Sequence, residues 1–143
     1  MSLLTFPDVN VWLALATAEH VHAAAAHAWW ERETGDIAFS RFTQLGFLRL
    51  MTTAAAMDSK PLSMREAWHV FDRFFEDDRV VFAPEPAEVE TLFRKYTAGR
   101  RASPKFWADA WLLAFAQTAP GTLVTFDRAL AAWGARCLLP EKK

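Results

Sequence analysis

Apolar residues along this chain fall into short continuous runs, separated by longer stretches in which they recur at helical spacing. LLTF (3–6) reads as a short buried strand, Pro7 and Asp8 follow, and a helical pattern runs from Val9 to Thr17. A second helix is predicted over about 20–33, where five alanines favour helix and Trp29 and Trp30 offer large packing faces. IAFS (37–40) predicts a strand, and the helical pattern returns from Phe42 to Thr53. After the loop DSKPLS (58–63), Ser63 and Glu66 have the spacing of a capping box, opening a helix to about Phe75. VVFA (80–83) is a third strand, and Pro86 opens a helix to about Thr97. Ser103-Pro104 reads as N-cap and first turn of a strongly apolar helix to Gln117. Beyond the Pro120-Gly121 turn come a strand (TLVTF, 122–126), a helix starting at Asp127, and a short strand (CLL, 137–139).

Strands alternating with helices imply a parallel sheet covered on both faces. The expected fold is α/β: a three-layer α/β/α sandwich on a short, mainly parallel five-stranded sheet. No repeat, low-complexity stretch or linker divides the 143 residues, so a single domain over 1–143 is expected.

Composition narrows the class. With 52% hydrophobic residues, 5 Gly and 7 Pro, the chain suits a globular fold and not a disordered one. No apolar run reaches the roughly 20 residues that span a bilayer, and no basic segment precedes an apolar one as in a secretory signal. Cys137 is the single cysteine, which suits a reducing cytoplasm. A net charge of −1 excludes strong whole-molecule attraction to nucleic acid, without excluding local patches. Seven Trp and twelve Phe are enough to fill a core and leave some for an interface.

The chemistry rests with three acids. In open parallel sheets, ligands bind beyond the carboxyl ends of the strands. Asp8 directly follows the first predicted strand and Asp127 the fourth, so the topology sets both on one edge. Either is also an ordinary helix cap. Asp109 differs: it is the only charged residue between Phe106 and Ala116, inside a predicted helix where Asp is poorly suited. A carboxylate buried there needs a cation or a proton. That cation is either an arginine, such as Arg49 or Arg128, or a metal ion shared with Asp8 and Asp127. Three carboxylates and no histidine suit Mg²⁺ or Mn²⁺ better than zinc.

Asp8 in FPDVNVWLAL, Asp109 in WADAWLLAFA and Asp127 in VTFDRAL resemble the spaced acids of PIN-domain nucleases. With FTQLGFLRLMT (42–52) and the small size, the resemblance is nearest to VapC-type toxins of bacterial toxin–antitoxin pairs. It implies a single PIN-like domain, a metal-dependent endoribonuclease (a phosphodiester hydrolase), a homodimer, and inhibition by a small antitoxin. Many PIN domains carry a glutamate where this chain has Gln44; its amide oxygen offers an acceptor to a metal-bound water but no charge. Glu88 and Glu90 are further acids that no spacing requires at the site.

An acid-lined site repels RNA unless bases offset it. FRKYTAGRRASPKF (93–106) brings Arg94, Lys95, Arg100, Arg101 and Lys105 without an acid, directly ahead of Asp109, with Tyr96 available to stack on a base. Arg41 and Arg49 add to this charge. His20, His22, His27 and His69 have no metal-ligand spacing and read as surface or helix residues. Neither a nucleophilic triad nor a glycine-rich phosphate loop is specified. The aromatic helix 64–75, with Trp29 and Trp30, reads as core with part left as a groove for a partner helix. Two other classes compete: a catalytically silent PIN-like binding protein, with Gln44 marking a lost site, and a receiver-type phosphoacceptor. The latter needs paired acids after the first strand and a late lysine, which TFDRAL lacks.

Overall fold

The computed structural model describes residues 4–140. Five short strands form where apolar runs meet breakers: β1 (Leu4–Pro7), β2 (Asp36–Phe39), β3 (Val80–Phe82), β4 (Gly121–Thr125) and β5 (Arg136–Cys137). Leu3, at the start of the first predicted strand, lies outside the described residues. The helices are α1 (Val9–Ala16), α2 (Ala23–Arg32), α3 (Arg41–Met51), α4 (Met64–Phe74), α5 (Val89–Thr97) and α6 (Phe106–Thr118). The helix expected at Asp127 is a 3-10 helix, Arg128–Trp133, and the last strand precedes most of CLL.

All strand pairs are parallel, in the order β3-β2-β1-β4-β5. This is not the 2-1-3-4-5 order of flavodoxin-like receivers. Side chains alternate across the sheet, so Ile37 and Phe39 join Val124 on one face while Ala38 joins Phe6 and Leu123 on the other. Trp12, Trp29, Phe47 and Phe71 from α1, α2, α3 and α4 bury the first face. Leu112, Leu113 and Phe115 of α6, with Val89 of α5, cover the second. The three expected layers follow.

Capping sets several helix starts. Ser63 and Glu66 form the expected capping box on α4, and Ser40 with Thr43 forms another on α3. Two proline-based expectations differ from the structure. α5 begins at Val89, three residues after Pro86, and α6 begins at Phe106 with Lys105, which supplies no side-chain cap. The Phe106 N–H closes a turn onto the Ser103 carbonyl (3.0 Å), so Ser103-Pro104 belongs to that turn and not to the helix.

α3 crosses α1 closely at Gly46, where a Cβ would sit 2.6 Å from Val9 Cγ2. Gly46→Ala should therefore lower stability by about 1–2 kcal/mol, the overpacking cost exceeding the gain in helix propensity. Thermal unfolding checks this: adding Val9→Ala should recover most of the loss, because the two positions share one contact.

Candidate active site

The connections of β1 and β4 leave the sheet toward opposite faces, so a crevice opens between their carboxyl ends. Pro7 of β1 pairs with Val124 of β4, and the Asp8 N–H donates to the Val124 carbonyl (2.9 Å). That register sets Asp8 beside the end of β4, two residues before Asp127.

Both acids cap, as expected. Asp8 Oδ1 accepts from the Val11 N–H (3.2 Å) at the start of α1. Asp127 Oδ1 accepts from the Ala129 N–H (2.9 Å) at the start of the 3-10 helix. A residue the sequence reading passed over links them. The fully buried Thr125 donates its hydroxyl to Asp8 Oδ2 (2.6 Å) and accepts from the Asp127 N–H (3.0 Å). The available signal was a Thr two residues before Asp127 at a strand end, a position from which a hydroxyl reaches back to local backbone.

Asp109 stands in the first turn of α6, not in a helix interior, so the positive end of the helix favours its charge. It is half-buried. Burial pushes its carboxyl above the usual aspartate range, and the nearby Asp127 pushes it further, while Lys105 one turn earlier opposes the shift. Burial likewise raises the Asp8 carboxyl, the Thr125 and Val11 hydrogen bonds hold it down in part, and Asp109 adds to the rise. Asp109 is thus within electrostatic reach of both other acids.

No arginine neutralises this group. Among the described residues the ion pairs are Arg79–Asp77, Arg94–Glu90 and Arg136–Glu33, and none includes Asp8, Asp109 or Asp127. The expected alternative of an Asp109–arginine pair is absent, and the Arg128 side chain instead donates to the Pro140 carbonyl (2.8 Å). In kind, the donors match a hard, oxygen-preferring cation. In spacing, no three acids, histidines or cysteines among the described residues stand as a ready-made ligand cluster. A hard ion such as Mg²⁺ keeps several waters, which fill the space that carboxylates so spaced leave between them.

Gln44 is buried, and its Oε1 accepts from Arg41, whose guanidinium also lies 4.9 Å from the Phe82 ring centroid. The water-bridging role expected of Gln44 competes with this bond. Glu90 is engaged by Arg94 (3.0 Å), so it adds no acid to the crevice. Tyr96 packs edge-on against Trp133 (5.3 Å) and is half-buried, which limits it as a stacking surface. The histidine expectation also shifts: His20 and His22 pack around Phe126, the neighbour of Asp127, and the His22 N–H donates to His20 Nδ1 (3.0 Å). Trp29 is fully buried, as expected of a core residue, whereas Trp68 is 48% exposed.

The PIN-domain family model matches residues 5–134. Ribonuclease VapC41 of Mycobacterium tuberculosis is 43% identical over 133 residues, covering 89% of this chain and 91% of that protein. Ribonuclease VapC44 of the same organism is 35% identical over 129 residues, covering 87% and 86%. Among solved structures, VapC20 of M. tuberculosis, a Sarcin-Ricin loop cleaving toxin, superposes with a TM-score of 0.65 at 16% identity, covering 92% of this chain and 95% of that one. VapBC2 from Rickettsia felis, bound to a DNA fragment from its promoter, gives a TM-score of 0.62 at 12% identity, covering 94% and 96%. At such identities these two speak for the fold alone.

Proposed function

This chain belongs to the PIN-domain family, and from that membership we propose that it is an endoribonuclease acting as the toxin of a toxin–antitoxin pair. It works in the cytoplasm and depends on Mg²⁺ or Mn²⁺. One observation carries the chemistry: the strand register sets Asp8 beside the end of β4, two residues before Asp127, Asp109 lies near enough to feel both, and among the described residues none of the three is ion-paired. Such a group is costly unless a cation joins it.

Asp8, Asp109 and Asp127 would hold that cation. When bound, it orients and activates a water and offsets charge on the scissile phosphate. The chain's own residues do the remaining work. Thr125 fixes the orientation of the Asp8 carboxylate and the backbone at Asp127 together. Lys105 tempers the negative charge beside Asp109. Gln44, as a neutral residue, leaves the site with less charge than a glutamate would and holds Arg41 in place. Arg94, Lys95, Arg100, Arg101 and Lys105 draw the RNA backbone toward the crevice without reading its sequence.

Partners follow from the surface. Leu45, Met64 and Trp68 are 60%, 75% and 48% exposed and line a groove of about 410 Å³ with Leu48 and Ala67. A helix of a small antitoxin covering this groove, and a homodimer, are the assemblies that fit the family. No helix among the described residues is long and apolar enough to cross a membrane.

The test is cleavage of RNA by protein purified free of other ribonucleases. Activity should require Mg²⁺ or Mn²⁺, stop on chelation, and fall by more than about 100-fold in Asp109→Asn, since a ligand should matter more than the outer-shell partners that carry 10–100-fold. Cleavage that survives both chelation and Asp109→Asn would refute this mechanism.

A further inference from the structure

The basic residues that lead into α6 are not equivalent. Arg94 is tied to Glu90 on the exposed face of α5. Arg100 is committed to no acid: among the described residues its side chain makes neither an ion pair nor a hydrogen bond, and it lies instead on aromatic rings. Its guanidinium carbon stands 3.7 Å from the Phe106 centroid and 5.8 Å from that of Trp133. Phe106 and Trp133 contact each other at 5.7 Å, with Tyr96 edge-on behind Trp133.

A guanidinium lying over a ring has its face satisfied, while its N–H donors point outward around its edge. Stacking also removes much of the rotamer freedom that an arginine loses on binding, so the cation is pre-organised. The donors border an open groove of about 230 Å³, lined by Arg101, Ser103, Pro104 and Trp107 besides Arg100 and Phe106. Trp133, 40% exposed, packs against Phe106 and leaves part of its indole open to solvent.

This constellation adjoins the acids through two elements. Phe106 is three residues before Asp109 and so shares its helix face. Trp133 ends the 3-10 helix that Asp127 caps. Arg100 therefore rests on the two elements whose starts carry Asp109 and Asp127.

We propose that Arg100, seated on Phe106 and flanked by Trp133, forms a subsite for one nucleotide of the substrate RNA. A phosphate takes the free guanidinium edge, and the attached base stacks on the Trp133 indole. This deepens the ribonuclease reading above and rests on it. Bidentate recognition of a phosphate needs the planar fork of arginine, which the point charge of a lysine does not reproduce.

Binding is measured by fluorescence anisotropy of a labelled single-stranded RNA on the Asp8→Asn chain, across a salt series, and steady-state cleavage is measured on the otherwise wild-type chain. Arg100→Lys should weaken binding by about tenfold with the salt slope unchanged, whereas Arg100→Ala weakens it and lowers that slope by about one. Trp133→Phe should bind like its parent and Trp133→Leu about tenfold more weakly, the size of a lost base stack. In cleavage, Arg100→Lys should raise KM and leave kcat unchanged, with an unaltered unfolding temperature. If the wild-type chain cleaves RNA while Arg100→Lys keeps its KM and its binding, the subsite is wrong and the ribonuclease reading stands. If the wild-type chain cleaves no RNA, that reading falls and takes the subsite with it.

Discussion

Asp8→Asn should abolish RNA cleavage and, without added metal, give a protein more stable than its parent. Loss of activity follows from removing a carboxylate at the crevice. The gain in stability follows from linkage. Burial raises the Asp8 carboxyl above the usual aspartate range, so the folded chain holds that proton more tightly than the unfolded chain does. The stabilising protonated form is lost as pH rises from the ordinary aspartate range through the raised value. At neutral pH the ionised carboxylate therefore works against the fold, and Asp109, shifted in the same direction, adds to the effect.

Asparagine removes that charge and keeps one side-chain oxygen to accept from the Val11 N–H, while its amide NH2 takes the place of Oδ2 and donates to the Thr125 oxygen, whose hydroxyl previously donated. Thermal unfolding at neutral pH should show a higher midpoint for Asp8→Asn than for the parent. On acidification the parent should gain on the variant and the gap should narrow. Millimolar Mn²⁺ should raise the parent's midpoint and leave that of Asp8→Asn nearly unchanged, because only a bound ion stabilises by mass action. A parent indifferent to Mn²⁺, with no gap at neutral pH, would remove the physical basis of the metal proposal.

Thr125→Val should damage both fold and activity, whereas Thr125→Ser should keep most of each. Valine fills the same space, but it strips the Asp127 N–H of its acceptor and Asp8 of its hydroxyl donor in a fully buried place. An orphaned buried polar group costs about 1–3 kcal/mol. Loss of a partner that orients a metal-binding carboxylate typically costs 10–100-fold in activity. A signature separates this from general damage: the Thr125 bond lowers the Asp8 carboxyl, so without it the acid limb of the pH–rate profile moves to higher pH. An unmoved acid limb in active Thr125→Val would mean that this hydroxyl does not tune Asp8.

How far the sequence could be read varies with the kind of feature. The capping box at Ser63 and Glu66 was legible because all its parts lie within four residues. The start of α6 was misjudged because Ser103-Pro104 carries the same local signature as a cap, although the turn to Phe106 consumes it. That error made Asp109 look stranded in a helix interior. In the first turn the helix itself favours the charge, and the case for a cation rests on the neighbouring acids.

By itself the sequence determined the alternation of strands and helices and their parallel arrangement, and it offered three aspartates as candidates, since periodicity and local capping are written in adjacent residues. Tertiary structure alone decided the order β3-β2-β1-β4-β5, which brings Asp8 beside the end of β4. It alone revealed that Thr125 bonds an aspartate 117 residues away, that Arg41 occupies Gln44, and that Arg100 rests on Phe106. Contacts between distant segments depend on how the sheet is ordered and how helices pack across it, and no local pattern of residues carries that information.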